Sequence, residues 1–381
     1  MSTSTSATQR GNGELRSRSE SASQSPDNCG FALDIDFDSV APRTDLQNAP
    51  CTRRVWENHD RCVWHARVDG KTTETFAGEA ETVADETQLP AEGLDGAYLK
   101  AASLVGVEWL AGQSLVGANL EDANVMGADL TDTNLLLADM TNATGINADF
   151  SRANMEGADL TRADLRLATL DDARLYGTVL TDVNLGGDIL LGQKSVYERL
   201  HISPGIAEIA PLEAAAWVYR QFQQLYSDNG LPEAVRESYV NEKDARRRLA
   251  WERRDIPNVL RFEVSRWVMR YGESPYRVVL TALVVILVAA VLFPLTGGIH
   301  EIQNGQGITY RLVNPEDASS WWIAHVLFKS LYFSVVTFAT LGYGDIQPIG
   351  TWARLLAGVE ALLGALLSAL FVFVLARRVT W

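Results

Sequence analysis

From Leu94 to Leu190 apolar residues return every five positions. That period suits neither an α-helix, at about 3.6, nor a strand, at about 2. Leu110, Leu115, Leu120, Val125, Leu130, Leu135 and Met140 open the in-register series, and every fifth residue from Phe150 to Leu190 continues it. Two positions before each centre stands a small residue, usually Ala, as at Ala118, Ala123, Ala128 and Ala173. Gly145 is the one weak centre, and Leu94, Leu99 and Leu104 keep the period one residue out of register. A five-residue period fits a square coil in which each pentapeptide forms one side, Leu fills the axis and Ala lets coils stack closely. Stacked at strand spacing, about five coils make a rod ~24 Å long. The Asp, Asn, Thr and Arg positions then face outward.

The rest of the chain has other patterns. Residues 1–28 are almost free of apolar side chains and are expected to be disordered, without the apolar segment of a signal peptide. Cys62–Val68, Asp69-Gly70 and Lys71–Phe76 suggest a hairpin within a small module at 50–89. Residues 206–254 suggest a helical hairpin: apolar spacing over Ala207–Tyr226, a stop at Asp228-Asn229-Gly230, and Pro232 in the first turn of the second helix. Leu260, Val264, Trp267, Val268 and Tyr271 line one face of a short segment with Arg261, Arg266 and Arg270 around it, as in a helix lying in a membrane interface. Val278–Leu295 is nearly all apolar and Leu355–Ala376 nearly so, and both are long enough to span a bilayer. Trp321–Phe338, interrupted by His325, Lys329 and Ser330, suggests a re-entrant helix. Glu360 in the last span is expected to face protein, since a lipid-facing carboxylate is costly.

Between the re-entrant segment and the last span stands Thr340-Leu341-Gly342-Tyr343-Gly344-Asp345. Two glycines spaced by one residue permit positive φ cheaply, which lets successive carbonyls turn the same way and replace the water shell of a cation. The motif and its flanking spans resemble the two-transmembrane potassium-channel pore. That resemblance implies a homotetramer, potassium ions held by Thr340, Leu341, Gly342 and Tyr343, and Gly344 and Asp345 completing the filter. It also implies aromatic support from Tyr332 and Phe333, and an inner helix bending at Gly364 with Ser368 and Phe371 lining the pore. No span carries the regular arginines of a voltage sensor.

The five-residue pattern, A-(D/N)-L-x-x, resembles the pentapeptide-repeat family, which implies a right-handed quadrilateral β-helix. The combination resembles haloarchaeal pentapeptide-repeat ion channels. A net charge of −15, with only five Lys among 33 basic residues, agrees with a salt-screened acidic surface and argues against nucleic acid as a partner. Arg266, Arg270 and Arg277 before the first span and Arg377 and Arg378 after the second place both termini in the cytoplasm, in a multi-pass protein of the cell membrane. Cys51, His59, Cys62 and His65 offer four nitrogen and sulfur ligands within fifteen residues, a candidate zinc set. Three cysteines in all argue against a disulfide framework.

The expected organisation is multidomain: a tail at 1–49, the small module at 50–89, the repeats at 90–192, a helical connector at 193–256 and the pore domain at 257–381. The expected function is a tetrameric potassium channel whose repeat domain regulates or localises the pore through an unknown cytoplasmic partner. The alternative is a membrane-anchored repeat scaffold, or a DNA-mimic interaction protein, with a non-conducting pore. No constellation of residues suggests an enzyme.

Overall fold

The computed structural model describes residues 28–36, 40–41, 50–77, 94–186, 194–303, 306–312 and 320–380. The chain divides into two compact units, Met1–Leu249 and Ala250–Trp381.

In the first unit the five-residue pattern becomes a stack of parallel bridges. Asn119 pairs with Asp139, Asp139 with Asp159, Asn134 with Asn154 and Asn154 with Arg174, each 20 residues on, so four pentapeptides complete one coil. The centres and the alanines two before them are buried along the axis. The second residue after each centre turns a corner at positive φ, as at Asp122, Asp132, Asn142 and Asn147, where Asp and Asn are among the least strained side chains. The out-of-register start has a direct counterpart. Tyr98 pairs with Asn119 and Ser103 with Asn124, 21 residues on, so one extra residue before Leu110 is absorbed in the first coil. Gly145 is not a defect: a methyl group there would meet Leu165 at 3.0 Å and the Phe150 ring at 3.4 Å, so the larger neighbours fill the space.

The small module differs from the expected hairpin. Cys62–Ala66 is a tight turn closed by the His65 and Ala66 amides on the Cys62 carbonyl, and Thr73–Phe76 is a 3₁₀ turn. Thr72 bridges to Ser103 in parallel, so this segment joins the rod rather than pairing with itself. Burial explains the choice: Trp64 stacks on Phe76, and Trp109 lies edge-on to Trp64, closing the apolar axis at its N-terminal end. The expected tail boundary at 49 also moves. Asn28 bridges to Arg54 and Gly30 donates to the Cys51 carbonyl, while Leu33 and Ile35 pack with Val116 and Leu136 on the side of the rod. Residues 1–27 and Leu190 lie outside the described residues.

The other end of the rod is closed by α1 (Val196–Leu200), α2 (Pro211–Asp228) and the start of α3 (Pro232–Glu252). Phe222 and Leu225 of α2 cover the last leucines of the axis. Asn229, where α2 stops, accepts from the Leu185 amide and donates to the Val183 carbonyl, which satisfies the open edge of the final coil. Glu156, fully buried, accepts from Tyr197, Arg174 and the Gly205 amide, and so fastens the segments after the rod to its flank.

The second unit holds α4 (Ile256–Met269), α5 (Pro275–Thr296), α6 (Ser320–Phe338) and α7 (Gly350–Thr380). Strands β1 (Ile299–Gln303), β2 (Gln306–Tyr310) and β3 (Ile346–Pro348) form an antiparallel sheet in the order β2-β1-β3. Among the described residues three helical stretches are long and apolar enough to cross a membrane: Pro275–Thr296, Trp321–Phe338 and Gly350–Arg377. They pack on one another through Ala289, Phe293, Val326, Phe333 and Ala353. Ile256, Leu260, Val264 and Trp267 form an exposed apolar stripe on α4. Val268 instead packs toward α5 and α7, and Tyr271 is buried in the turn that follows α4.

Candidate functional site

The candidate site is the segment between α6 and β3. Ala339 and Leu341 donate to carbonyls of the last turn of α6, and Thr340 donates to the Thr337 carbonyl, so the chain leaves the helix through a tight cap. Thr340 (φ 56°), Gly342 (φ 56°) and Gly344 (φ 79°) then occupy the left-handed region, while Leu341 and Tyr343 between them do not. An alternation of left-handed and ordinary residues is the kind of backbone in which successive carbonyls can turn toward one side, as a cation-coordinating loop requires. The glycines accept it at little cost. Thr340 does not: a β-branched residue at positive φ is strained by about 1–3 kcal/mol, and strain of that kind clusters at functional sites. Its hydroxyl is tied back to the Ala339 carbonyl at 2.8 Å. Leu341 and Tyr343 are exposed on their own chain.

Both ends of the segment are anchored. Tyr332 of α6 donates to Asp345 at 2.9 Å, which ties the end of the loop to the helix before it. Glu301 of β1 accepts from Lys329 of α6 at 2.8 Å and from Tyr310 of β2 at 2.7 Å, and pairs in register with Ile346 of β3. The Glu301 carboxylate thus joins α6 to the hairpin, and its backbone pairs the hairpin with the exit strand. The Lys329 ammonium holds the Glu301 carboxyl below the usual range. Burial, followed by the hydrogen bond to Glu301, pushes the Tyr310 phenol up to about 12. The sequence offered little sign of this sheet, because 296–318 lacks a regular strand pattern.

The expected supporting residues separate. Tyr332 reaches the loop, but Phe333 turns to the core, edge-on to Phe293 with ring centres 4.8 Å apart. Gly364 lies where α7 passes the end of α6: a Cβ there would stand 2.0 Å from the Phe338 carbonyl oxygen. The helix is continuous through it, and the glycine permits this close approach. Phe371 is half-buried against the cluster of Val278, Leu367 and Val374, on the face of α7 turned to its own chain, while Ser368 is exposed. Glu360 lies on that inward face, buried, and Ser334 of α6 donates to it. In the first unit Cys51, Cys62 and His65 come together, joined by Cys29, which the expected ligand set omitted. His59 is elsewhere, stacked on Trp56 and 3.1 Å from its carbonyl.

A membrane-length helix, a second apolar helix ending at a strained loop, and a third helix packed on both define a membrane-embedded channel domain. Residues 280–380 match a family model described as an ion channel, of the two-span potassium-channel type. Residues 94–187 match eight copies of the pentapeptide repeat, and the chain therefore joins an ion-channel domain to a repeat domain. Similar solved structures include a pentapeptide repeat protein from the cyanobacterium Cyanothece, 26% identical with a TM-score of 0.21, covering 28% of this chain and 68% of that one. HetL, a pentapeptide repeat protein involved in heterocyst differentiation regulation from the cyanobacterium Nostoc, is 31% identical with a TM-score of 0.18, covering 26% of this chain and 52% of its own. A further pentapeptide repeat protein from Nostoc is 30% identical with a TM-score of 0.13, covering 19% of this chain and 64% of its own. The chain thus spans only about half of HetL. No curated protein matches the chain.

Proposed function

We propose that the protein is a potassium-selective channel, assembled as a homotetramer, whose repeat domain lies in the cytoplasm and regulates or localises the pore. The observation that carries this reading is the left-handed alternation at Thr340, Gly342 and Gly344 in a loop anchored at Asp345 and through β3. One such loop supplies carbonyls from one side only, so a complete coordination shell needs several copies around an axis. The exposure of Leu341 and Tyr343 on the single chain agrees with an assembly that covers them. Non-helical backbone at membrane depth is tolerated only where it lines a cavity or is buried in protein, which points the same way.

In this reading Thr340, Leu341, Gly342 and Tyr343 present the carbonyls that replace water around potassium, and the C-terminal end of α6 adds its negative dipole. The exposed stripe Ile256, Leu260, Val264 and Trp267 puts α4 in the membrane interface, with Arg266 stacked over Trp267 at the headgroup level. The arginines flanking the spans support an orientation with both termini in the cytoplasm. The rod is read as right-handed, and its acidic outer faces offer a docking surface to a cytoplasmic partner. The test is flux into liposomes containing the purified chain. Potassium uptake that exceeds sodium uptake and is lost in Gly344→Ala supports the reading. Equal uptake of both ions, or unchanged selective uptake in the variant, rejects it.

A further inference from the structure

The strongest feature outside the pore is a knot of four buried side chains at the N-terminal end of the rod. Cys29, Cys51, Cys62 and His65 are all buried, and their ligand atoms lie within 4.8 Å of one another. Cys51 Sγ and Cys62 Sγ are 3.8 Å apart, too far for a disulfide. Cys62 Sγ is 3.2 Å and Cys29 Sγ 3.6 Å from His65 Nδ1. Tetrahedral zinc, with Zn–S about 2.3 Å and Zn–N about 2.0–2.1 Å, sets its sulfurs ~3.8 Å apart and sulfur from nitrogen ~3.5 Å. These three separations match edges of a single-ion tetrahedron, and all four ligand atoms lie within 4.8 Å of one another. The separations are too short for ligands spread around a multi-iron cluster.

The chemistry of each ligand agrees. His65 Nε2 is 2.9 Å from the Asp95 carbonyl, which can only accept, so Nε2 carries a proton and Nδ1, the nitrogen facing the sulfurs, is the one available to a metal. A backbone carbonyl behind a histidine is a common way to fix a metal ligand's tautomer. Cys62 and His65 come from the same tight turn, with the His65 amide donating to the Cys62 carbonyl. Three thiolates and one zinc leave a net charge of −1. Arg61, which donates to the Cys29 carbonyl at 2.6 Å, and buried Lys71, in electrostatic contact with Cys62, offset it.

We propose that Cys29, Cys51, Cys62 and His65 bind one zinc ion, which clips the segment around residue 29 and the 51–65 turn into a cap on the first coil. Three cysteines and one histidine with no open position make a structural site rather than a catalytic one. The clip adds to the backbone hydrogen bonds through which residues 28–31 meet 51–54. Cys29 is the ligand that sequence spacing hides, since it stands 22 positions before Cys51.

The test uses the full chain purified in detergent. Elemental analysis is expected to give about one zinc per chain in the wild type and in His59→Ala. Cys29→Ser is expected to lose most of it. Replacing zinc by cobalt in the wild type is expected to produce a thiolate-to-cobalt charge-transfer band and the intense visible bands of tetrahedral cobalt, a readout that needs no variant to fold. The proposal is overturned if the wild type holds no zinc and shows no tetrahedral cobalt spectrum. It is also overturned if His59→Ala loses as much metal as Cys29→Ser, or if mass spectrometry finds Cys51 and Cys62 joined as a disulfide.

Discussion

Gly364→Ala puts a methyl carbon 2.0 Å from the carbonyl oxygen of Phe338. Even close Cα–H···O contacts keep carbon and oxygen about 3.3 Å apart, so α6 and α7 must separate there by about 1.3 Å. The atom that must yield belongs to backbone, not to a flexible side chain, and Phe338 is two residues before Thr340. A functional constellation must be held to about 0.5 Å, so the displacement is more than twice that tolerance. Overpacking of this kind usually costs about 1–3 kcal/mol, which leaves a membrane protein folded while moving the loop. Gly358 of the same helix is the control, because a Cβ there meets nothing within 4 Å in its own chain. The assay is thermal unfolding in detergent together with potassium and sodium flux in liposomes. Gly364→Ala is expected to insert and assemble, melt at a lower temperature and lose most of its potassium-over-sodium preference. Gly358→Ala is expected to retain both. If the two variants behave alike, the close approach of Gly364 to Phe338 does not position the loop and the reasoning fails.

Three further outcomes follow from the same contacts. Glu156→Ala leaves the buried Tyr197 hydroxyl and Gly205 amide without their acceptor, and each buried group left unsatisfied costs about 1–3 kcal/mol; the repeat unit is expected to melt earlier by circular dichroism, and an unchanged melt would contradict the role given to Glu156. Glu301 is held below the usual carboxyl range by Lys329, so the clamp's contribution is complete above the unfolded carboxyl value near 4.5 and fades as pH falls through the lower folded value. The melting temperature of the wild type is therefore expected to fall more steeply below pH 4.5 than that of Glu301→Gln, and parallel curves would remove the clamp. Glu360→Gln keeps the size of the buried side chain and an acceptor for Ser334, so it is expected to insert and conduct, whereas Glu360→Lys is expected to block assembly on size-exclusion chromatography.

Much of this was legible in the chain, for different reasons in its two halves. The rod was visible because each coil is made by the same local rule, and even its one-residue slip before Leu110 reappears as 21-residue pairing. The loop at 340–345 was visible because left-handed backbone restricts which residues can stand there, although the strain at Thr340 is hidden by its ordinary side chain. What stayed hidden depends on distant partners. Cys29 meets Cys51 only after residues 28–36 fold back, and Glu156 occupies an outward repeat position that becomes buried only under the segment around Gly205. The exit sheet was hidden because Glu301 satisfies α6, β2 and β3 at once, with no periodic signal of its own. Phe333 and Phe371 match a family pattern in sequence, but which face of a helix meets which neighbour is decided by packing, and both turn to their own chain.

The central claim is that Thr340–Tyr343 carbonyls select potassium, and a reversal potential reads it most directly. The full-length protein is placed in a planar bilayer with potassium chloride on one side and sodium chloride on the other. The expected current reverses far from zero, toward the potassium equilibrium potential, and vanishes or becomes unselective in Gly344→Ala. A wild-type current reversing at zero, with potassium and sodium carried alike, would contradict the claim.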